Sequence, residues 1–449
     1  MLSAAENHVN NNVQISKLIV KSFLIAAPMS GSGKTTVARG LMALLKREGH
    51  TVQPMKCGPD YIDTKFHTAV CGRPSINLDS FMATDNHIKH LFEHHASDAD
   101  ICIVEGMMGL FDGYDHEHGS AYEIARILQL PVVLVVNAQS AAYSMAALIS
   151  GFINFKSDIR IIGVIFNKVG SERHQRMLEE VCQDVGVRCL GCLPKTKDAE
   201  TGERYLGLDF SNGATGMEST LNTLANLIER HIDWKTIISL ASDQRFDFSK
   251  TQQDETSKTK YKHIAIAQSP EAFSFIYQST LDAMQGAELH FFNPELNETF
   301  PADVDMLYLP GGYPEKHAEA LTKASATRAC IKAYADKGGH IIAECGGMMY
   351  LCEEILTDEG TFPFCGVLPY KISARKSDRH LSLGYRQWTL NGKEYRGHEF
   401  HYSQFAGITP PSVTTVLNAR GEPVNCPIIQ QGNVLASYTH WYWQDAFGL

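Results

Sequence analysis

The sequence lacks a long apolar run, an excess of basic residues and the composition of a disulfide framework. Its longest apolar stretch, LPVVLVV at 130–136, is far shorter than the ~18 residues of a membrane-spanning helix, so no membrane segment is expected. The formal net charge of −10 argues against nucleic acid or an anionic membrane as the main partner. The eleven cysteines are an odd number in a chain of 449 residues, which favours a reducing cytoplasm.

The chain divides into segments of different composition. Residues 1–19 are polar, lack the apolar core of a signal peptide and are interpreted as an N-terminal extension. Apolar runs then alternate with helical stretches over 20–240, which predicts a parallel α/β sheet. Residues 241–262 are polar and charged, which is typical of an interdomain linker. The α/β pattern restarts afterwards, so a second domain is expected over 263–449.

The stretch APMSGSGKTT at 27–36 lies between a predicted strand and a predicted helix. Its end matches the phosphate-loop pattern GxxxxGK[ST], although proline replaces the first glycine. Small residues let backbone amides surround phosphate at a helix N-terminus, a lysine reaches the β- and γ-phosphates, and a threonine ligates Mg²⁺. The candidate ATP-binding residues are Gly31, Gly33, Lys34, Thr35 and Thr36.

A phosphate loop also needs acidic residues that hold its metal. Glu105 ends the apolar strand ICIVE, where a Mg²⁺ ligand is expected, and Asp112 follows seven residues later. Lys56, Asp60 and Asp63 surround a Gly-Pro turn, where they could bind a second metal or orient an acceptor carboxylate. Each acid could instead lie in a solvated turn or cap a helix.

A lone cysteine, Cys345, stands between an apolar strand and two glycines in IIAECGGMMYL. The glycines permit a sharp turn that resembles a nucleophile elbow, and a helix N-terminus there would lower the thiol pKa. The upstream turn Gly311–Gly312 could supply amides that stabilise an oxyanion, and His440 is the candidate base. These residues alone support a nucleophile and a buried structural thiol about equally.

Together, the motifs resemble a known family. LPGGYPE, AECGGMMYL and SYTHWYW look like the class I glutamine amidotransferase domain of the cobyrinate/cobyrate type, which implies a flavodoxin-like fold. In front of that domain, APMSGSGKTT, KCGPDYID, NLDSFM and VEGMMGLFDG, together with RGHEFHYS near the end, resemble the cobyrinate a,c-diamide synthase family. The N-terminal P-loop NTPase domain is also similar to dethiobiotin synthetase. The resemblance covers nearly the whole chain from about residue 20.

The resemblance implies an ATP- and glutamine-dependent ligase of cobalamin biosynthesis. In the second domain, Cys345 would attack glutamine, the 311–312 turn would stabilise the oxyanion, and His440 would shuttle the proton. Ammonia would travel inside the protein to the first domain, where ATP converts the a and c carboxylates of cobyrinate to acyl phosphates. The residues implied at this second site are Lys34, Thr35 and Glu105 for MgATP, and Lys56, Asp60, Asp63 and Asp112 around substrate and phosphoryl group.

The implied small-molecule partners are glutamine, ATP and a corrinoid, and the implied location is the cytoplasm. Related enzymes are often dimers, so a homodimer is an expectation of the resemblance. Hydrogenobyrinate and nickel sirohydrochlorin are alternative acceptors. The non-ligase alternative is a P-loop regulatory or partitioning ATPase with an inactive amidotransferase-like module, and the intact Cys345 and His440 argue against it.

One departure concerns the third member of the catalytic triad. Triad-type amidotransferases have His-x-Glu, whereas Tyr442 occupies the position of that glutamate here. A tyrosine cannot hold an imidazolium as a carboxylate does. A Cys345–His440 dyad is therefore expected, with Glu399 of RGHEFHYS as a hypothetical orienting acid.

Overall fold

The computed structural model describes residues 19–195, 213–245 and 259–443. The predicted N-terminal extension lies outside these ranges except for its last residue, and so does most of the predicted linker.

The first sheet confirms the predicted parallel α/β architecture. Its strands are β1 (Ile19–Ala26), β2 (Val52–Cys57), β3 (Ile76–Leu78), β4 (Ile101–Glu105), β5 (Val132–Asn137), β6 (Ile161–Val169), β7 (Cys189–Pro194) and β8 (Ser242–Arg245). Their order is β3-β2-β4-β1-β5-β6-β7, with every pair in this path parallel and β8 antiparallel to β1. The strand order reverses beside β1, which is where open α/β sheets bind their ligands.

Helices connect these strands. They are α1 (Lys34–Arg47), α2 (Ile62–Cys71), α3 (Asp85–Ala96), α4 (Ala121–Leu128), α5 (Met145–Phe155), α6 (Glu172–Val185), α7 (Gly213–His231) and α8 (Trp234–Leu240). Phe23 and Ile25 of β1 belong to one core cluster, whereas Leu24 and Ala26 belong to another. Because both faces of the central strands are covered, these strands are continuously apolar rather than alternating.

The start of the predicted linker is wrong, because residues 242–245 form β8. Strand β5 begins to pair with β1 only at Leu24, which leaves the first half of β1 without a neighbour on that side. Strand β8 fills this position, with Ile19 opposite Arg245 and Ser22 opposite Ser242. The pairing satisfies backbone groups that would otherwise lie at an open edge.

The second part of the chain is built on a sheet with the order β10-β9-β11-β12-β21-β20. These strands are β9 (His263–Ala267), β10 (Glu288–Phe292), β11 (Met306–Leu309), β12 (His340–Glu344), β20 (Ile429–Gln431) and β21 (Val434–Ser437). All pairs are parallel except β20 with β21. The associated helices are α9 (Gln278–Ala283), α10 (Ala318–Lys323), α11 (Ser325–Asp336) and α12 (Gly346–Leu351).

Two smaller sheets complete this part. One has the order β14-β13-β15-β18 and the other the order β19-β16-β17-β22. Their strands are β13 (Glu354–Thr357), β14 (Gly360–Pro363), β15 (Lys371–Ser373), β16 (Ser382–Leu390), β17 (Lys393–His401), β18 (Gln404–Phe405), β19 (Leu417–Asn418) and β22 (His440–Trp441). Among the helices in the described ranges, none is long and apolar enough to cross a membrane.

Candidate active sites

The phosphate loop connects β1 to α1, as predicted. Gly33 stands at the N-cap of α1 with φ 101°, a left-handed conformation that favours glycine. A Cβ atom at Gly33 would lie 2.1 Å from Nδ2 of Asn167, which donates a hydrogen bond of 3.0 Å to the carbonyl of Ser32. Asn167 on β6 therefore braces the loop from beneath, and only glycine fits above it.

The side chains that leave this loop lie against the carboxyl end of β4. Lys34 donates a hydrogen bond to the carbonyl of Met108, and burial lowers the pKa of Lys34. Thr35 donates its hydroxyl to Oε1 of Glu105 at 2.7 Å. Two neighbouring ligands of an octahedral Mg²⁺ ion lie roughly 2.9 Å apart, because each bond is about 2.1 Å long. The Thr35 and Glu105 oxygens therefore fit the donor pair expected for the metal of a P-loop.

Glu105 is fully buried at the centre of a charged network. Its Oε1 atom lies 2.9 Å from Nζ of Lys56, and its Oε2 atom lies 2.8 Å from Nε2 of His67. Burial alone would raise the pKa of Glu105, but Lys56 and His67 hold that pKa well below its usual value. Although burial also opposes the charge on Lys56, the surrounding carboxylates hold the pKa of Lys56 above its ordinary value.

Asp63 faces the same lysine, so the sequence-predicted residues of this region do converge. Its Oδ2 atom lies 2.6 Å from Nζ of Lys56, and its Oδ1 atom accepts a hydrogen bond of 2.9 Å from Arg39. Both oxygens of Asp63 therefore contact cationic side chains of the protein. Sequence reasoning missed Arg39 and His67, which lie one on α1 and one on α2 and meet the acids only in the fold.

Asp60 and Asp112 organise loops. Oδ1 of Asp60 accepts hydrogen bonds of 2.8 Å from the amides of Ile62 and Asp63 at the start of α2, while Oδ2 lies 3.8 Å from Nζ of Lys56. Oδ2 of Asp112 accepts a hydrogen bond of 3.0 Å from the amide of Gly109. Asp60 therefore caps the start of α2, as the helix-cap alternative predicts, and also lies near Lys56. Asp112 stabilises the loop that contacts Lys34.

Cys345 occupies a sharp turn between β12 and α12. Its backbone has φ 47° and ψ −109°, a strained conformation for a residue with a side chain, as in a nucleophile elbow. A Cβ on Gly347 would lie 2.0 Å from the carbonyl oxygen of Leu309, which explains why the second residue after the cysteine is glycine. The expected lowering of the thiol pKa is wrong: burial raises the pKa of Cys345, and the nearby Glu315 adds to this effect.

The glycine turn after β11 lies between the cysteine and the histidine. The amide nitrogen of Gly312 is 3.0 Å from the position that a Cβ on Gly346 would occupy, so this amide lies beside the elbow. A Cβ on Gly311 would lie 2.1 Å from Cε1 of His440. The turn therefore contacts both parts of the predicted site, Cys345 through its neighbour and His440 directly.

His440 is 1% exposed and lies on β22, which begins three residues after β21. The amide of Cys345 donates a hydrogen bond of 2.7 Å to the carbonyl of Ser437 at the end of β21. Burial and the stacked ring of His398 lower the pKa of His440. Its Nδ1 atom has no hydrogen-bond partner within the described residues.

Neither Glu399, the orienting acid hypothesised from the sequence, nor Tyr442, at the position of the triad glutamate, forms a hydrogen bond with His440. Glu399 binds Arg386 through one oxygen and Nε2 of His401 through the other at 2.7 Å, so it does not orient His440 by direct contact. The ring of Tyr442 instead lies edge-on to that of His87. Glu344, which sequence reasoning passed over, has Oε2 at 4.0 Å from Nδ1 of His440. The sequence feature that could have indicated Glu344 is its position as an acid at the end of the apolar strand β12.

A cavity of about 260 Å³ opens beside Cys345 and the Gly312 turn. Its wall includes Glu315, whose pKa is raised by burial, and Arg379. An acid, a base and a thiol in the wall of one cavity suit a small zwitterion that carries a reactive group.

The two sites meet at one tyrosine. Tyr61 follows Asp60, and its ring stacks on Phe275 and Tyr277 with centroid separations of 4.9 and 4.4 Å. The same ring lies 5.2 Å from the ring of His440. A single dipeptide therefore contacts the lysine of the phosphate site and the histidine of the thiol site.

The fold and these sites define a class of enzyme, in which a P-loop nucleotide-binding domain is joined to a glutamine amidotransferase domain. Comparison with known families supports both halves. A family model described as a CobQ/CobB/MinD/ParA nucleotide binding domain matches residues 23–208. Another, described as a CobB/CobQ-like glutamine amidotransferase domain, matches residues 263–446.

Similar proteins extend the match to almost the whole chain. Hydrogenobyrinate a,c-diamide synthase of Brucella abortus is 39% identical over 432 residues, covering 94% of this chain and 98% of that protein. Cobyrinate a,c-diamide synthase of Caldanaerobacter subterraneus subsp. tengcongensis is 38% identical over 431 residues, covering 93% and 94%. The synthase of the same name from Listeria innocua is 37% identical, covering 94% and 96%. The chain belongs to the cobyrinate/hydrogenobyrinate a,c-diamide synthase family, which confirms the resemblance.

Proposed function

We propose that this chain uses ATP and glutamine to amidate the a and c carboxylates of cobyrinate in cobalamin biosynthesis. The part of the chain that ends with β8 acts as the amide-ligase unit, and the part from β9 onward acts as the glutaminase unit. The observation that carries the proposal is the contact of Tyr61 with His440, next to Asp60 at the phosphate site. A glutaminase joined to a phosphate site in this way suits delivery of ammonia to a carboxylate activated there.

The glutaminase reaction uses the elbow. The sulfur of Cys345 attacks the amide carbon of glutamine, and the amide of Gly312 stabilises the oxyanion. His440 takes the thiol proton and passes it to the departing ammonia. Water then cleaves the thioester to glutamate and restores the thiol. Glu315 and Arg379 would hold the α-ammonium and α-carboxylate groups of glutamine in the cavity.

The ligase reaction takes place above the phosphate loop. A carboxylate oxygen of the acceptor attacks the γ-phosphorus of ATP, and ADP leaves. Ammonia then attacks the acyl carbon, and inorganic phosphate leaves. Lys34 and the backbone amides of the loop bind the phosphates, and Thr35 and Glu105 would hold Mg²⁺, which neutralises phosphate charge when bound.

The charged network has a separate task in this proposal. Lys56 presents an ammonium group that the acids keep protonated, so it can neutralise charge on the acceptor and the transferring phosphoryl group. Asp63 and Asp60 hold this lysine in position. Asp112 shapes the loop around Lys34 and orients the acceptor.

An experiment with candidate macrocycles identifies which tetrapyrrole the protein amidates. Relatives of nearly equal identity are named for cobyrinate and for hydrogenobyrinate. The test incubates the protein with ATP, glutamine and one macrocycle and follows the product by mass spectrometry. Cobyrinate should gain two amide groups, each at the expense of one glutamine and one ATP. Absence of any mass change with cobyrinate, hydrogenobyrinate or nickel sirohydrochlorin would refute the ligase.

The same assay tests the non-ligase alternative. A partitioning ATPase would hydrolyse ATP in response to DNA or a membrane, whereas the ligase turns over ATP in response to a tetrapyrrole carboxylate. We also propose a cytoplasmic location and a homodimer. The cytoplasmic location is supported by cysteines that are all free within the described ranges. Sedimentation velocity measures the oligomeric state.

A further inference from the structure

The base of the glutaminase site has a buried nitrogen that faces no acceptor at hydrogen-bond distance. Nδ1 of His440 has no partner in the part of the chain that the structure describes. A histidine that accepts a thiol proton needs an acceptor at its other nitrogen, because that acceptor fixes the tautomer and stabilises the imidazolium. Oε2 of Glu344 lies 4.0 Å away, about 1 Å beyond a normal hydrogen bond.

Glu344 is held as an acceptor. It is 1% exposed, and it receives hydrogen bonds from the hydroxyl of Tyr308 at 3.0 Å and from Nε1 of Trp443 at 2.8 Å. An indole N–H can only donate. The two donors use different oxygens, and the backbone of Trp441 donates a further hydrogen bond to this carboxylate. A carboxylate has about four lone-pair sites, so one remains for the histidine. The carboxylate is therefore oriented before the histidine takes up a proton.

We infer that Glu344 is the positioning acid of His440, an inference that rests on the proposed glutaminase function. The acid precedes the nucleophile directly, instead of standing two residues after the histidine. A closure of about 1 Å when glutamine binds brings Nδ1–H onto Oε2. His440 then takes the proton of Cys345 at Nε2, and Glu344 stabilises the imidazolium.

The pH profile follows from the surroundings of Glu344. Burial raises the pKa of Glu344 to about 8, so the accepting carboxylate form grows as the pH rises through that value. Glutaminase kcat should therefore rise with an apparent pKa near 8. The other titratable groups that face Glu344 are Tyr61, Tyr277, Tyr308, Cys345 and His440. Burial raises the pKa of the tyrosines and of the cysteine and lowers that of the histidine, so none titrates near pH 8.

The experiment compares Glu344→Gln, Glu344→Asp and Tyr442→Phe in glutaminase assays across pH. Glu344→Gln should lower kcat at least about 100-fold, since amide replacement of a triad carboxylate costs up to roughly 10⁴-fold. The rise of kcat near pH 8, here called the limb, should disappear in this variant. Glu344→Asp should recover part of kcat. Tyr442→Phe should stay within about threefold of the wild type. Amidation supported by added ammonia should persist in all three variants.

The outcomes separate this inference from the proposed function. Suppose that Cys345→Ala is inactive. The role of Glu344 would then be overturned if Glu344→Gln kept its glutaminase activity within threefold of the wild type and showed an unchanged pH profile. An active Cys345→Ala variant would overturn the glutaminase site itself. If Glu344→Gln also loses the amidation supported by added ammonia, the substitution has disturbed the whole protein. The role of Glu344 is then tested with Tyr308→Phe instead. Because the Tyr308 hydrogen bond lowers the pKa of Glu344, its removal should shift the limb to higher pH, and an unshifted limb would overturn the inference.

An independent feature lies at the opposite end of this domain. His263 starts β9, and Glu288 and His290 lie on the neighbouring strand β10. The parallel register pairs His263 with Glu288 and Ala265 with His290, so the three side chains project from one face. Their exposed fractions are 34%, 66% and 22%, so an ion in solution can reach them.

The three side chains offer ligand atoms that all lie within 4.8 Å of one another, with a different oxygen of Glu288 nearest to each histidine. Nδ1 of His263 lies 3.4 Å from Nε2 of His290 and 3.6 Å from Oε2 of Glu288, and Nε2 of His290 lies 3.7 Å from Oε1 of Glu288. A tetrahedral Zn²⁺ ion with bonds of about 2.0–2.1 Å separates its ligand atoms by roughly 3.3–3.4 Å. We propose that these residues bind a divalent transition ion such as Zn²⁺, with water as the fourth ligand.

Binding is measured with Co²⁺ by visible absorption and with Zn²⁺ by calorimetry on the full chain. The wild type should bind one equivalent of either ion at this site, and His290→Ala should bind at least about tenfold more weakly, since one ligand of three is lost. The control is His340→Ala, which removes an exposed histidine from β12 and should leave binding unchanged. Equal binding by wild type and His290→Ala, or no binding at 100-fold excess metal, would overturn the proposal.

Discussion

The contact between the two sites can be broken at a single side chain. Tyr61 is 8% exposed, stacks on Phe275 and Tyr277 and reaches the ring of His440. Truncating a buried aromatic residue to alanine costs about 3–5 kcal/mol. The two stacks account for roughly 1–3 kcal/mol of this. Tyr61→Ala should therefore lower the melting temperature and open a void between the thiol site and the phosphate site.

We expect that void to uncouple ammonia production from amidation. The assay measures glutamate formed per amide formed, which should be near one in the wild type and rise several-fold in Tyr61→Ala as ammonia escapes. Tyr61→Phe keeps the ring and should keep the ratio near one, which separates packing from the hydroxyl group. Amidation with added ammonia shows that the ligase site is still folded. A ratio near one in Tyr61→Ala, with ammonia-supported amidation intact, would refute the reasoning.

Three further changes test the separate parts of the site. Cys345→Ala should lose glutamine-dependent amidation at least about 1,000-fold and keep the reaction with added ammonia; loss of both in rate assays would make the thiol structural. Lys56→Met leaves Glu105 and Asp63 without their shared partner. It should destabilise the first domain by roughly 3–5 kcal/mol, measured by thermal unfolding, and abolish ATP turnover, measured by ADP release. Glu315→Gln should raise KM for glutamine by roughly 10-fold or more, because a charge-assisted hydrogen bond contributes about 1.5–3 kcal/mol. An unchanged KM would place the ammonium of glutamine elsewhere.

The features that the sequence predicts well depend on residues close together along the chain. The phosphate loop is an example, because the strand β1, the glycine turn and the helix α1 follow one another directly along the chain. The elbow is another, because the strand end, Cys345 and the two glycines after it follow one another in a single short segment. The alternation of strands and helices predicts the parallel sheet for the same reason.

Features formed by distant segments were missed or misjudged. Glu344 adjoins Cys345 in the sequence, yet its role depends on Tyr308, His440 and Trp443 from other segments. The elbow was expected to lower the thiol pKa, but the helix after it has only six residues and the thiol is buried. Only the folded environment shows that desolvation outweighs a short helix dipole.

The electrostatics of the thiol site predict slow hydrolysis of glutamine in the free enzyme. Burial raises the pKa of Cys345 and lowers that of His440, so the thiolate–imidazolium pair is disfavoured before substrate binds. Glu344 can favour that pair only after it approaches His440 more closely than the present 4.0 Å. Because Tyr61 packs on His440 from the phosphate site, movement of the Asp60–Tyr61 segment on acceptor or ATP binding would be transmitted to the histidine. Glutamine hydrolysis in the absence of acceptor and ATP should therefore be slow, and their addition should accelerate it.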